Sequence, residues 1–124
     1  MSYDDSNIFA KILRGEIPNR TVAENEHALA FRDIAPKAPV HVLVIPKGRY
    51  VSFDDFAENA PAEEIAGFMR LAAQVARSEG LSLDVGEGFR AITNAGPNGV
   101  QEVPHFHLHI MGGRPMGPMV SLRD

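Results

Sequence analysis

Apolar residues recur along this chain with two different periods. Ile8, Phe9, Ile12 and Leu13 fall on one side of a short helix. Ser6 or Asn7 can cap its start through a side-chain oxygen, and Gly15 is placed to end it. Leu29-Ala30-Phe31-Arg32-Asp33 reads as a strand, closed by the turn residues Ala35-Pro36-Lys37-Ala38-Pro39. His41-Val42-Leu43-Val44-Ile45 is a second, β-branched strand that stops at Pro46. The clearest element is a long helix opened by Pro61, with Glu63 and Glu64 in its first turn and Gly80 after its end. Its Ile65, Phe68, Met69, Ala72, Val75 and Ala76 make one apolar stripe. A third strand is expected from about Phe89 to Asn94, then a tight loop at Gly96-Pro97-Asn98-Gly99, then a fourth strand from about His105 to Met111. Strands dominate and the long helix has a single apolar face. The pattern therefore predicts an α+β domain, an antiparallel sheet with helices packed on one face.

Bulk properties add limits to this. A chain of 124 residues with 44% hydrophobic content fits one domain, residues 1–124, with a modest core that self-association would help to cover. The absence of cysteine excludes disulfides and thiolate metal sites. A net charge of −4 lacks the basic footprint of a nucleic-acid partner. Met1-Ser2-Tyr3-Asp4-Asp5 has no signal-like apolar run, and no stretch is long enough to span a bilayer. A cytoplasmic protein with neither a membrane nor a nucleic-acid partner is expected.

The informative segment is Pro104-His105-Phe106-His107-Leu108-His109-Ile110-Met111. On a strand, Phe106, Leu108 and Ile110 share one face, which the core beneath the long helix explains. His105, His107 and His109 share the other face, with roughly 7 Å from each to the next. Three readings fit that face: a solvated polar surface, a metal site, or phosphoryl chemistry with one imidazole as nucleophile. Glu102 and Asp33 could complete a metal shell, but neither makes a recognised ligand spacing with the histidines. The upstream Asn94-Ala95-Gly96-Pro97-Asn98-Gly99-Val100-Gln101-Glu102 favours phosphoryl chemistry. Glycine-rich turns present backbone N–H groups to a phosphate, and Asn94 and Gln101 add neutral donors. Crowded imidazoles resist simultaneous protonation, so one is expected to stay charged while another remains free to attack.

His105-Phe106-His107-Leu108-His109-Ile110-Met111 matches a His-x-His-x-His signature followed by apolar residues, and the chain resembles the histidine triad (HIT) superfamily in its Hint-like branch. The similarity extends to Ile8-Phe9-Ala10-Lys11-Ile12, Glu16-Ile17-Pro18, Ala30-Phe31-Arg32-Asp33-Ile34, the segment from Ala38 to Lys47, and Gly112-Gly113-Arg114-Pro115. The resemblance implies a homodimer that binds purine nucleotides and cleaves nucleoside phosphoramidates at the α-phosphorus. It assigns the nucleophile to His107, the phosphate surroundings to His109 and His41, and the positioning of the nucleophile to His105. Asp33 would hold the ribose hydroxyls, Asn94 the phosphate side, and Ile8, Phe9, Ile12, Phe31 and Ile34 the base. No cofactor and no metal are implied, since Asn7 and Ala10 occupy the region where some members carry zinc-binding cysteines. Dinucleoside polyphosphate hydrolysis, or a regulatory nucleotide-binding role with weak hydrolysis, is the alternative.

The sequence departs from the family at two places: Val100 stands where a glycine is frequent, and Glu102 where many eukaryotic relatives have serine. Read without the resemblance, Asp33 is equally a turn cap and His41 a core histidine. His27 reads as a surface loop residue without a role, and Arg70 and Arg77 as a solvated helix face.

Overall fold

The computed structural model describes residues 2–121. Five strands, β1 (Thr21–Glu24), β2 (Ala28–Arg32), β3 (Val40–Pro46), β4 (Phe89–Ile92) and β5 (Leu108–Gly112), form one sheet in the order β1-β2-β3-β5-β4. Every neighbouring pair is antiparallel. The helices are α1 (Ile8–Leu13), α2 (Phe53–Asn59) and α3 (Ala62–Ser78). The expected α+β architecture is what the chain adopts.

Local chemistry sets the element ends. The Asn7 side-chain oxygen accepts the Ala10 N–H at 2.9 Å and starts α1, while Gly15 leaves it at φ +79°. Pro61 immediately precedes α3, where its missing N–H costs nothing, and Gly80 follows its end at φ +75°.

α3 buries Phe68, Leu71, Ala72, Val75 and Ala76. With Phe56 and Phe106 most of these form a cluster over Ala28 and Ala30 of β2 and Val42 and Val44 of β3. Burial of a side chain the size of Phe68 contributes about 1.5–3 kcal/mol. The alternate residues Leu29, Phe31, Leu43 and Ile45 point to the opposite face and pack with Phe9 and Ile12. α1 is therefore the exception to one-sided helix packing. It covers part of the second face and leaves the rest of that face open.

Two elements were not expected from the pattern. β1 is a half-exposed edge strand with an irregular register against β2, and α2 buries only Phe56. The fourth strand also starts later than predicted, at Leu108 rather than His105. The backbone ahead of it is bonded elsewhere: His105 N–H to the Val103 carbonyl at 2.9 Å and Phe106 N–H to the Tyr50 carbonyl at 2.8 Å. These bonds replace a sheet ladder.

His27 is likewise not an idle surface residue. It is half-buried against α3, and a Cβ on Gly67 would come within 2.6 Å of its ring. Asn25 beside it donates to the Gly67 carbonyl at 2.9 Å, so the β1–β2 turn is fastened to the helix. Arg77 pairs with Asp84 rather than only meeting solvent. Among the described residues no helix is long and apolar enough to cross a membrane.

Candidate active site

The open part of the second sheet face is a cavity of about 780 Å³. His41 on β3, His109 on β5 and His107 just ahead of β5 line it, together with Asp33 after β2 and Asn94 after β4. Ile8, Phe9, Ile12, Phe31 and Ile34 form its apolar end. Two of these are open jaws: Ile34 is 93% exposed and Ile8 42%. Phe9 continues inward, edge-on to Phe31 at 5.6 Å and to the His107 ring at 5.0 Å. Ten of the twelve expected site residues thus meet around one cavity, and His105 and Gln101 do not line it.

The histidines do not share one open face. His105 is fully buried and His107 is 6% exposed. The rings of His107 and His109 are 5.1 Å apart at their centroids, inside the roughly 7 Å between alternate residues of a strand. His107 Nδ1 lies 2.8 Å from the carbonyl oxygen of His105, which closes a local ring of hydrogen bonding in place of an extended strand.

These contacts fix the protons. A carbonyl only accepts, so His107 carries its hydrogen on Nδ1 and leaves Nε2 with a lone pair. Among the described residues Nε2 makes no hydrogen bond, and no buried side-chain nitrogen or oxygen lacks a partner, so this atom is open to the cavity that His107 lines. His41 Nδ1 accepts the Lys37 N–H at 3.1 Å, which puts the His41 hydrogen on Nε2. That Nε2–H lies 2.9 Å from His109 Nδ1 and donates to it. His109 is left with an Nε2–H that also faces open space. The cavity therefore presents a bare nitrogen from one imidazole beside an N–H from the next. Thr93 Oγ1 donates to the His107 carbonyl at 2.9 Å and holds the His107 backbone.

Burial is the main reason that all four rings are pushed toward the neutral form. It takes His105 down to about 4. His109 also falls to about 4, through burial first and then the neighbouring His107 and His41. His107 and His41 are lowered in the same direction, against the opposing pull of Asp33. The expected resting imidazolium is replaced by a chain of neutral donors and acceptors.

Asp33 caps a turn and also reaches the cavity wall. One carboxylate oxygen accepts the Ala35 N–H at 2.8 Å, a turn cap, and the other lies 3.4 Å from His41 Nε2 at the cavity wall. Asp33, His41 and His109 bring their ligand atoms within 4.8 Å of one another, a grouping that the sequence spacing did not reveal. The tautomers oppose a metal there: His41 Nε2 holds a proton, and His109 Nδ1 already accepts it.

This geometry has a counterpart among known proteins. A family model described as the HIT domain matches residues 14–116. The chain belongs to the HIT domain family. It is 52% identical over 120 residues to an uncharacterized 13.2 kDa HIT-like protein of Azospirillum brasilense, with 97% of this chain and 96% of that one covered. It is 42% identical over 118 residues to the purine nucleoside phosphoramidase of Escherichia coli K12, with 94% and 95% covered. Among solved structures, a HIT family hydrolase of Legionella pneumophila is 43% identical with a TM-score of 0.79, over 89% of this chain and 95% of that one.

The loop before the triad differs from what its glycine-rich sequence predicts. Gln101 is a brace rather than a substrate donor. Its Nε2 donates to the carbonyls of Val51 at 2.6 Å and Val103 at 3.0 Å, and its oxygen accepts the Gly96 N–H at 3.0 Å. The Val100 and Gln101 N–H groups bond back to Pro97 and Gly96, so they form no phosphate cradle. Asn94 uses one donor on the Gly99 carbonyl at 2.7 Å and still lines the cavity.

Val100 keeps the left-handed backbone of a glycine, at φ 57°, which for a β-branched residue stores about 1–3 kcal/mol. Its side chain stands at the cavity mouth, 70% exposed, near Glu102, which also lines the mouth. Sequence reasoning missed Thr93, Lys37 and Tyr3. Their partners are backbone groups or distant rings, and no local motif announces such contacts.

Proposed function

We propose that this HIT protein hydrolyses purine nucleoside phosphoramidates at the α-phosphorus through a nucleotidyl intermediate on His107. The observation that carries this reading is the bare, cavity-facing Nε2 of His107, set by the Nδ1 contact to the His105 carbonyl. The base would lie between Ile8, Phe9, Ile12, Phe31 and Ile34, which places the α-phosphorus near the imidazoles. His107 Nε2 bonds to phosphorus as the P–N bond breaks, and the leaving nitrogen takes one further proton from solvent so that it departs as the amine, balanced by the proton that the attacking water gives up in the second displacement. Water then attacks phosphorus and the electron pair returns to Nε2. The positive charge on the substituted imidazole is met by the His105 carbonyl, and His109 Nε2–H faces the phosphoryl oxygen. The 42% identity to a purine nucleoside phosphoramidase supports the substrate class. A panel of adenosine and guanosine phosphoramidates should release the nucleoside monophosphate with catalytic turnover. Binding of adenosine monophosphate without turnover would instead make the protein a nucleotide-binding module. Faster cleavage of dinucleoside polyphosphates would move the substrate class.

The tautomers at Asp33, His41 and His109 predict metal-independent turnover. Exhaustive chelation should leave the rate unchanged, and a loss restored by zinc would refute the phosphoryl-only account.

Asp33 has a carboxylate oxygen at the cavity wall, suited to accept hydrogen bonds from vicinal ribose hydroxyls. Charge-assisted bonds of this kind contribute about 1.5–3 kcal/mol. Asp33→Ala should therefore weaken a ribonucleotide roughly 10- to 100-fold, and the matching 2′-deoxynucleotide much less, in paired titrations. Equal weakening of both would remove the assignment.

The open edge of the sheet supports a homodimer. β4 ends the sheet and Phe89 on it is 45% exposed. Two such edges related by a two-fold axis would pair their free backbone groups, with α3 as the adjoining contact. Sedimentation at micromolar concentration should give the dimer mass, and a monomer would count against it.

A further inference from the structure

The family model begins at residue 14, and two residues ahead of that boundary reach the triad, Phe9 by ring contact and Tyr3 by a hydrogen bond. The Tyr3 hydroxyl lies 2.6 Å from His105 Nδ1. His105 Nε2 lies 2.9 Å from the Pro46 carbonyl, so the ring hydrogen is on Nε2 and Nδ1 is a bare acceptor. The Tyr3 O–H is then the donor, and the fully buried His105 ring is pinned at both nitrogens. Burial raises the Tyr3 phenol above its usual range and keeps it a hydroxyl at neutral pH.

Tyr3 is itself held in place. Its ring meets His105 edge-on at 5.6 Å, and the Arg49 guanidinium lies 5.2 Å from the ring centre. Arg49 pairs with Asp5 at 2.8 Å, and Arg14 donates to the Asp5 carbonyl at 2.9 Å. The segment before α1 is thus strapped across the back of the histidines.

We propose that Tyr3 is a positioning residue for His107, acting by locking the His105 ring so that the His105 carbonyl holds His107 Nδ1. The proposal rests on the reading of His107 as nucleophile. Without the hydroxyl, His105 Nδ1 becomes a buried acceptor with no donor. The ring then either stays unpaired or changes tautomer and gives up Pro46. Both routes shift the carbonyl that fixes the lone pair of His107 toward the cavity. Tyr3 does not line that cavity, so nucleotide contacts are untouched.

Tyr3→Phe keeps the edge-on ring packing and removes only the hydroxyl. It should lower kcat by about tenfold, the scale of one well-placed hydrogen bond, with KM unchanged within about twofold. Nitrogen NMR of the resting protein should show distinct protonated and bare signals for the two His105 nitrogens, and averaged or shifted signals in the variant. A wild-type kcat in Tyr3→Phe overturns the proposal, as does a fall in kcat matched by a rise in KM. Unchanged His105 nitrogen signals overturn it as well. If the wild-type protein cleaves no phosphoramidate, the proposed function fails on its own, while the nitrogen signals still decide the role of Tyr3.

Discussion

His107→Ala should abolish phosphoramidate turnover and leave nucleotide affinity within a few-fold of wild type. The loss is expected to be on the order of 10⁴-fold or more, because the variant removes the only bond-forming atom and the first of two displacements with it. Affinity should survive because the apolar jaws, Asp33 and Asn94 stay in place on α1 and in the segments after β2 and after β4. The methyl of alanine also leaves the His105 carbonyl facing the cavity, where water can satisfy it. A variant that loses binding and turnover together would show that His107 is a contact residue.

The second large effect is expected at His109. Its Nε2–H is the donor beside the bare Nε2 of His107, and removing one pre-oriented donor to a developing oxyanion costs about 10²–10³-fold in kcat. His109→Ala should fall by about 10²-fold, less than His107→Ala, with a small change in KM. His41 supplies the hydrogen that sets the His109 tautomer, so the two residues act as a unit. The His41→Ala, His109→Ala double variant should therefore be little worse than His109→Ala alone. Multiplying losses would show that His41 touches the substrate separately. His41→Ala also orphans the Lys37 N–H, so a lower Tm is expected in that variant.

Periodicity carried the fold where one apolar face decides the element. α3 lies where its stripe, its opening proline and its closing glycine placed it, and β3 ends at the proline that limits it. Neither signal exists for β1, a half-exposed edge of four residues, nor for α2, whose only buried side chain is Phe56. The site shows the same division. The apolar residues of α1 and β2 could be assigned to the cavity because the family resemblance extends over them.

The triad was over-regularised by strand alternation. His105 is turned into the core by bonds to Tyr3 and Pro46, residues 102 and 59 positions away, and no local window contains those partners. Gln101 was misassigned for a related reason. A carboxamide beside a glycine-rich turn looks like a ligand donor until Val51, 50 positions away, is seen to accept from it. The tautomers depend on the same kind of contact. The Lys37 N–H and the His105 carbonyl, two backbone groups, decide which imidazole presents a bare nitrogen to the cavity and which an N–H.

The most direct test is to trap the wild-type enzyme with a slow phosphoramidate, quench it, and map the nucleotidyl adduct by mass spectrometry. The account predicts a single adduct on His107, absent from His107→Ala. An adduct on His105, His109 or His41, or near-normal turnover by His107→Ala, would contradict it.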